Sequence, residues 1–107
     1  MKIINPIPGL TAEDMRKLAS VFEVEAGVTE VVLYGSRAKQ SHRVGSDIDL
    51  TLKGCDLSTG WQMNLMGKID DLLLPYEVDL SIFEHIENQD LLEHINRFGK
   101  VIFSYEP

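Results

Sequence analysis

From Ser46 to Leu52 the residues alternate without a break: Asp47, Asp49 and Thr51 point one way, Ile48, Leu50 and Leu52 the other. Successive side chains of a strand leave opposite faces, so this segment must bury one side and present two carboxylates on the other. Upstream, Thr29 to Tyr34 is short, apolar and β-rich, and it runs straight into Gly35-Ser36. Glycine permits a sharp turn there, and the residues after it can start a short helix whose free N–H groups favour an anion. Ten residues separate Gly35-Ser36 from Asp47-Ile48-Asp49. A chain with this pattern must build a sheet in which a glycine bend and a pair of acids share one end.

The remaining elements fall around that strand. Thr11-Ala-Glu-Asp14 reads as a helix start, and Met15, Leu18, Ala19 and Phe22 recur at helical spacing toward an end near Gly27. Ser36 to Ser46 reads as a short helix and a loop. After the turn signals Gly54, Ser58 and Gly60, a stripe of Trp61, Leu65, Met66, Ile69, Leu72 and Leu73 predicts a long helix stopped by Pro75. Tyr76 to Phe83 alternates again, with Glu77, Asp79 and Ser81 on its polar face. Leu91, Leu92, Ile95 and Phe98 form a last helical stripe closed by Gly99, and Lys100 to Tyr105 reads as a terminal strand. The order predicts one α/β domain over residues 1–107, with helices packed on a central sheet.

Composition narrows the function. Ten basic against 17 acidic residues leave a net charge of −7, which argues against a broad grip on bulk DNA and suits a basic protein partner. A nucleotide stays within reach, because a bound cation neutralises phosphate locally. No segment approaches the ~20 apolar residues of a membrane span. The N-terminus lacks the pattern of a signal peptide, and the lone Cys55 has no internal disulfide partner. These features predict a cytoplasmic protein.

If the strands bearing Asp47/Asp49 and Asp79 are neighbours about 5 Å apart, three acids converge on one face. Carboxylates held that close repel unless a cation intervenes, and hard oxygen donors suit Mg2+, with Mn2+ as a substitute. Two such ions can clamp a nucleoside triphosphate. Asp47 and Asp49 would bridge both ions, and Asp79 would ligate the catalytic one and orient or deprotonate an acceptor hydroxyl. Gly35 and Ser36 would hold the phosphate tail. Arg37, Lys39 and Arg43 lie between the bend and the acids, as triphosphate-neutralising groups or as plain surface charge.

Gly35-Ser36, ten residues, Asp47-Ile48-Asp49 and a later-strand Asp79 together resemble the minimal nucleotidyltransferase (MNT) domain of the DNA polymerase β-like superfamily, over nearly the whole chain. The resemblance implies the nucleotidyltransferase fold, a central mixed sheet with flanking helices. Chains this short look like the antitoxin half of HEPN/MNT toxin–antitoxin pairs. That likeness implies an adenylyltransferase that moves AMP from ATP to a hydroxyl, in several pairs a tyrosine of the all-helical HEPN toxin. By carry-over, Asp47, Asp49 and Asp79 would be catalytic and metal-binding, and Gly35, Ser36 and Arg37 would bind the nucleotide. Family members often carry glycine where this chain has Gln40, in the turn after Ser36-Arg37-Ala38-Lys39.

Two other readings stand beside this one: a nucleotide-binding subunit of a two-protein transferase acting on a small molecule, and a non-catalytic antitoxin that neutralises by binding. Association as a homodimer or hetero-oligomer is compatible with the size. His42, His85 and His94 lack metal-ligand spacing and read as surface or helix-end residues without a role. Trp61 and Met66 read as core packing, with Met63 off the stripe.

Overall fold

The computed structural model describes residues 1–25, 27–43, 45–54, 57 and 59–106. Cys55 and the turn signal at Ser58 lie outside the described residues. The elements run β1 (Lys2–Ile3), α1 (Ala12–Glu23), β2 (Val28–Tyr34), α2 (Gly35–Ala38), β3 (Ile48–Gly54), α3 (Thr59–Asp70), β4 (Val78–Ile82), α4 (Gln89–Phe98) and β5 (Lys100–Ser104), with a 3₁₀ turn at Phe83–His85. Among the described residues five strands make one mixed sheet in the order β1-β5-β2-β3-β4, with β3 and β4 parallel and the other pairs antiparallel. The expected sheet with flanking helices is what forms. β1, which no periodicity announced, adds two residues to the edge beside β5.

Local chemistry accounts for the element ends. Thr11 accepts from the Asp14 N–H while Asp14 accepts from the Thr11 N–H, a reciprocal cap that starts α1. The helix ends at Glu23, earlier than Gly27, which instead turns into β2 with a φ of 96°. Gly60 lies inside α3 rather than before it. Leu73 leaves the predicted stripe: α3 stops at Asp70, and Leu73 takes a left-handed φ of 54° and stands 87% exposed.

One face of the sheet carries the main core. Met15, Leu18 and Phe22 of α1 and Leu65 and Ile69 of α3 pack on Val31, Leu33, Ile48, Leu50, Leu52 and Leu80. Trp61 and Met66 join that cluster, as their spacing predicts, and Met63 is exposed. The opposite face is not simply open. Val32, Tyr34 and Ile95 form a second cluster with Phe83, Leu91 and Val101, so α4 covers part of it. Thr51, expected on an exposed polar face, is fully buried there, with its hydroxyl 3.4 Å from the Ser81 carbonyl it donates to. The acids therefore sit at the margin of a half-covered face.

Phe22 is 0% exposed and meets the Phe103 ring at 5.8 Å, joining α1 to β5. Phe22→Ala is expected to cost about 3–5 kcal/mol. Urea unfolding should show that loss as a lower midpoint with an unchanged slope; a loss below about 1 kcal/mol would mean α1 does not pack as described.

Candidate active site

Strand register assembles the site. Tyr34 of β2 pairs with Asp49 of β3, and Asp49 pairs with Asp79 of β4, so the three side chains stand in one row across three strands. The next row inward is Val32, Thr51 and Ser81. Asp47 lies just ahead of β3, exposed; Asp79 is exposed and Asp49 half-buried. Gly35 closes the row from the side. Its φ of 76° belongs to the left-handed region, and a Cβ there would fall on Asp49 Oδ2. Only glycine lets the bend sit directly against that carboxylate.

Electrostatics show the crowding. The Asp49 carboxyl is raised above its ordinary value, first because burial disfavours its charge, then because Asp79 and Asp47 repel it; Arg37 pulls weakly the other way. Burial also pushes the Tyr34 phenol up, the Ser81 hydroxyl 3.5 Å away opposes this, and Asp49 and Asp79 add to it. Among the described residues no lysine or arginine forms an ion pair with any of the three acids. Nor, among those residues, do three His, Cys, Asp or Glu side chains close on one point tightly enough to hold a metal as they stand. The donors are all carboxylate oxygen and, among the described residues, have no ion-pair partner, which is the chemistry a hard divalent cation fits.

Arg37 takes a place different from the expected one. Only 1% exposed, it donates from Nη1 to the Pro8 carbonyl (2.6 Å), from Nη2 to the Ser46 carbonyl (2.6 Å), and from Nε to the Ser46 and Asp47 carbonyls (3.2 and 3.3 Å). Its guanidinium carbon stacks 4.1 Å from the centre of the Tyr76 ring. A guanidinium committed in this way ties down the loops ahead of Asp47 and Asp79 and does not reach out to a phosphate. No sequence signal marks this role, since an arginine beside a glycine bend reads as an anion ligand. Lys39 points elsewhere too, with Nζ 5.1 Å from the centre of the Phe98 ring.

His94, expected to have no role, is in the site. Its Nε2 accepts from the Gly35 N–H at 2.9 Å, and its ring stands edge-on to Tyr34 and against Phe98. No local spacing could find it, because α4 brings it across 59 residues. Gln40 has a φ of 59°, the conformation glycine adopts most easily, which explains why glycine suits this position. A separate cavity of about 500 Å³ opens at the far end of β2, lined by Phe22, Val28, Tyr105 and the acids Glu23, Glu25 and Glu106. It contains none of the motif residues, and two of its acids are already paired, Glu23 with the N-terminal ammonium and Glu25 with Lys68.

A glycine bend packed on Asp49, with Asp79 and Asp47 beside it on a mixed sheet, fits a nucleotidyltransferase-type centre. The family model described as Polymerase beta, Nucleotidyltransferase matches residues 16–107, and the chain belongs to that family. Its fold is similar to a chain of a toxin–antitoxin structure with AMP-PNP, at a TM-score of 0.68 and 21% identity, covering 91% of this chain and 76% of that one. A chain of the toxin–antitoxin MntA-HepT gives 0.65 at 18% identity, covering 89% and 74%. A structure of tri-AMPylated Shewanella oneidensis HEPN toxin in complex with MNT antitoxin gives 0.64 at 19% identity, covering 87% and 71%. No curated protein matches the chain.

Two outcomes test the site. Arg37→Met would leave the buried carbonyls of Pro8, Ser46 and Asp47 without their donor and should cost about 3 kcal/mol or more in urea unfolding; a surface phosphate ligand would cost well under 1. Asp49 binds its proton more tightly folded than unfolded, so stability falls as pH rises from the ordinary aspartate range through its raised value. Asp49→Asn should therefore melt about 1–4 °C above wild type at neutral pH, with the gap shrinking toward about pH 3. A lower melting temperature at neutral pH would contradict the crowding.

Proposed function

We propose that this chain is a magnesium-dependent nucleotidyltransferase that moves AMP from ATP onto a hydroxyl of an all-helical HEPN toxin, a tyrosine by preference, and so acts as an antitoxin. The observation that carries the reading is the in-register pair Asp49 and Asp79, joined by Asp47, with Gly35 packed on the Asp49 carboxylate. The similar structures lend it a substrate and a partner: one is a toxin–antitoxin with AMP-PNP, another an AMPylated HEPN toxin held by its MNT antitoxin.

Asp47 and Asp49 would hold two magnesium ions, or manganese in their place, and Asp79 the one nearer the acceptor. When bound, the ions supply positive charge that offsets the triphosphate and makes the acceptor hydroxyl more acidic. Gly35 and Ser36 hold the phosphate tail and fix the nucleotide's orientation. Asp79, exposed at the open side of the row, takes the hydroxyl proton as the acceptor oxygen bonds to the α-phosphorus. The bond from that phosphorus to the bridging oxygen breaks, and pyrophosphate leaves. Residues 1–107 work as one minimal transferase domain, with the partner providing the acceptor. The net charge of −7 favours a basic partner face, and use of ATP favours a cytoplasmic setting. Among the described residues no helix is long and apolar enough to cross a membrane.

Mass spectrometry of a HEPN partner incubated with this protein, ATP and Mg2+ tests the reading. Addition of whole AMP units is expected, and Asp47→Asn should abolish it while changing stability by no more than about 0.5 kcal/mol, since Asp47 is exposed. Labelling that survives in Asp47→Asn would remove this residue from catalysis. Loss of labelling with the toxin still neutralised would replace catalysis by simple occlusion.

A further inference from the structure

A backbone amide can only donate, so the 2.9 Å contact from Gly35 N–H fixes His94 Nε2 as an acceptor and the imidazole as neutral, with its proton on Nδ1. The ring is not loosely placed. It lies edge-on to Tyr34 at 6.3 Å and against Phe98 at 5.3 Å, on a helix anchored to β2 through Ile95. His94 thus occupies one of the hydrogens that the bend would offer an incoming phosphate. An imidazole lone pair and a phosphate oxygen cannot both accept that hydrogen at full strength.

We propose that His94 gates the phosphate subsite: it holds the Gly35 N–H in the nucleotide-free protein, and a phosphate oxygen must take that hydrogen from it. The inference rests on Gly35 being the phosphate-binding bend. His94 is then a positioning residue, acting on the nucleotide through Gly35. An anionic oxygen forms the stronger, charge-assisted bond and displaces the neutral imidazole. A ligand without phosphate has no such advantage and leaves the gate shut. The device sets a threshold that favours nucleotides over nucleosides, and it lowers affinity by one ordinary hydrogen bond.

AMP-PNP with Mg2+ serves as the probe, read by calorimetry and by 15N NMR of the Gly35 amide and His94 Nε2. In the wild-type protein both signals should move on saturation with AMP-PNP and stay in place with adenosine. His94→Ala should bind AMP-PNP roughly two- to tenfold more tightly. His94→Gln, which keeps an acceptor in reach, should stay near wild type. A His94 Nε2 signal unmoved by saturating AMP-PNP, or equal or weaker binding in a folded His94→Ala, overturns the gate alone. Wild-type protein that fails to bind AMP-PNP with Mg2+ overturns the nucleotide reading and the gate with it.

Discussion

Mutual repulsion among Asp47, Asp49 and Asp79 is the constraint around which the site is arranged, and the hydrophobic core is what enforces it. Ile48, Leu50, Leu52 and Leu80, all nearly or fully buried, fix how β3 and β4 sit on α1 and α3. Because side chains alternate, fixing the apolar face fixes the other one: a slip of one residue would drive Asp49 into the core and lift Leu50 out. The same burial that stabilises the sheet therefore brings Asp49 beside Asp79. Core packing holds like charges close, a conflict typical of sites that await a cation.

Around that row the chain sets one buried charge, Arg37, two close-packed glycines and a histidine. Arg37 reaches Pro8, Ser46, Asp47 and the Tyr76 ring, so a single guanidinium joins the segment before α1 to the loops feeding β3 and β4. Gly9, with a φ of 97°, passes so close that a Cβ would stand 2.8 Å from Arg37 Nη1. Gly35 brings the bend onto Asp49, and His94 reaches the same bend from α4. Backbone position at the acids is thus set by Arg37 and at the bend by His94. Nucleotide chemistry needs both ends held at once.

Periodicity made much of this legible. The strict alternation of Asp47 to Leu52 and of Tyr76 to Phe83 placed Asp49 and Asp79 on strands, though Asp47 falls one residue ahead of β3, and the spacing of Met15, Leu18 and Phe22 placed α1 on the core. What escaped were long-range contacts. Arg37 looked like a phosphate ligand because charge in sequence says nothing about burial, and its partners are backbone carbonyls that any residue carries. His94 looked idle because its partner is an amide 59 residues away. Leu73 matched the helical stripe, but the helix ended before it and a left-handed turn sent it outward. Thr51 matched the polar face, and α4 with the Phe83 turn covered that stretch.

Family membership, the in-register acids and the glycine bend together support the proposal that a bound cation relieves the repulsion at Asp49. Tracking the Asp49 side-chain carboxyl by 13C NMR through a pH titration, first metal-free and then with Mg2+ and AMP-PNP, measures that relief directly. The expected result is a titration midpoint above that of an ordinary aspartate without metal, falling to or below the ordinary value once both are added. A midpoint that stays raised in the presence of Mg2+ and AMP-PNP would contradict it.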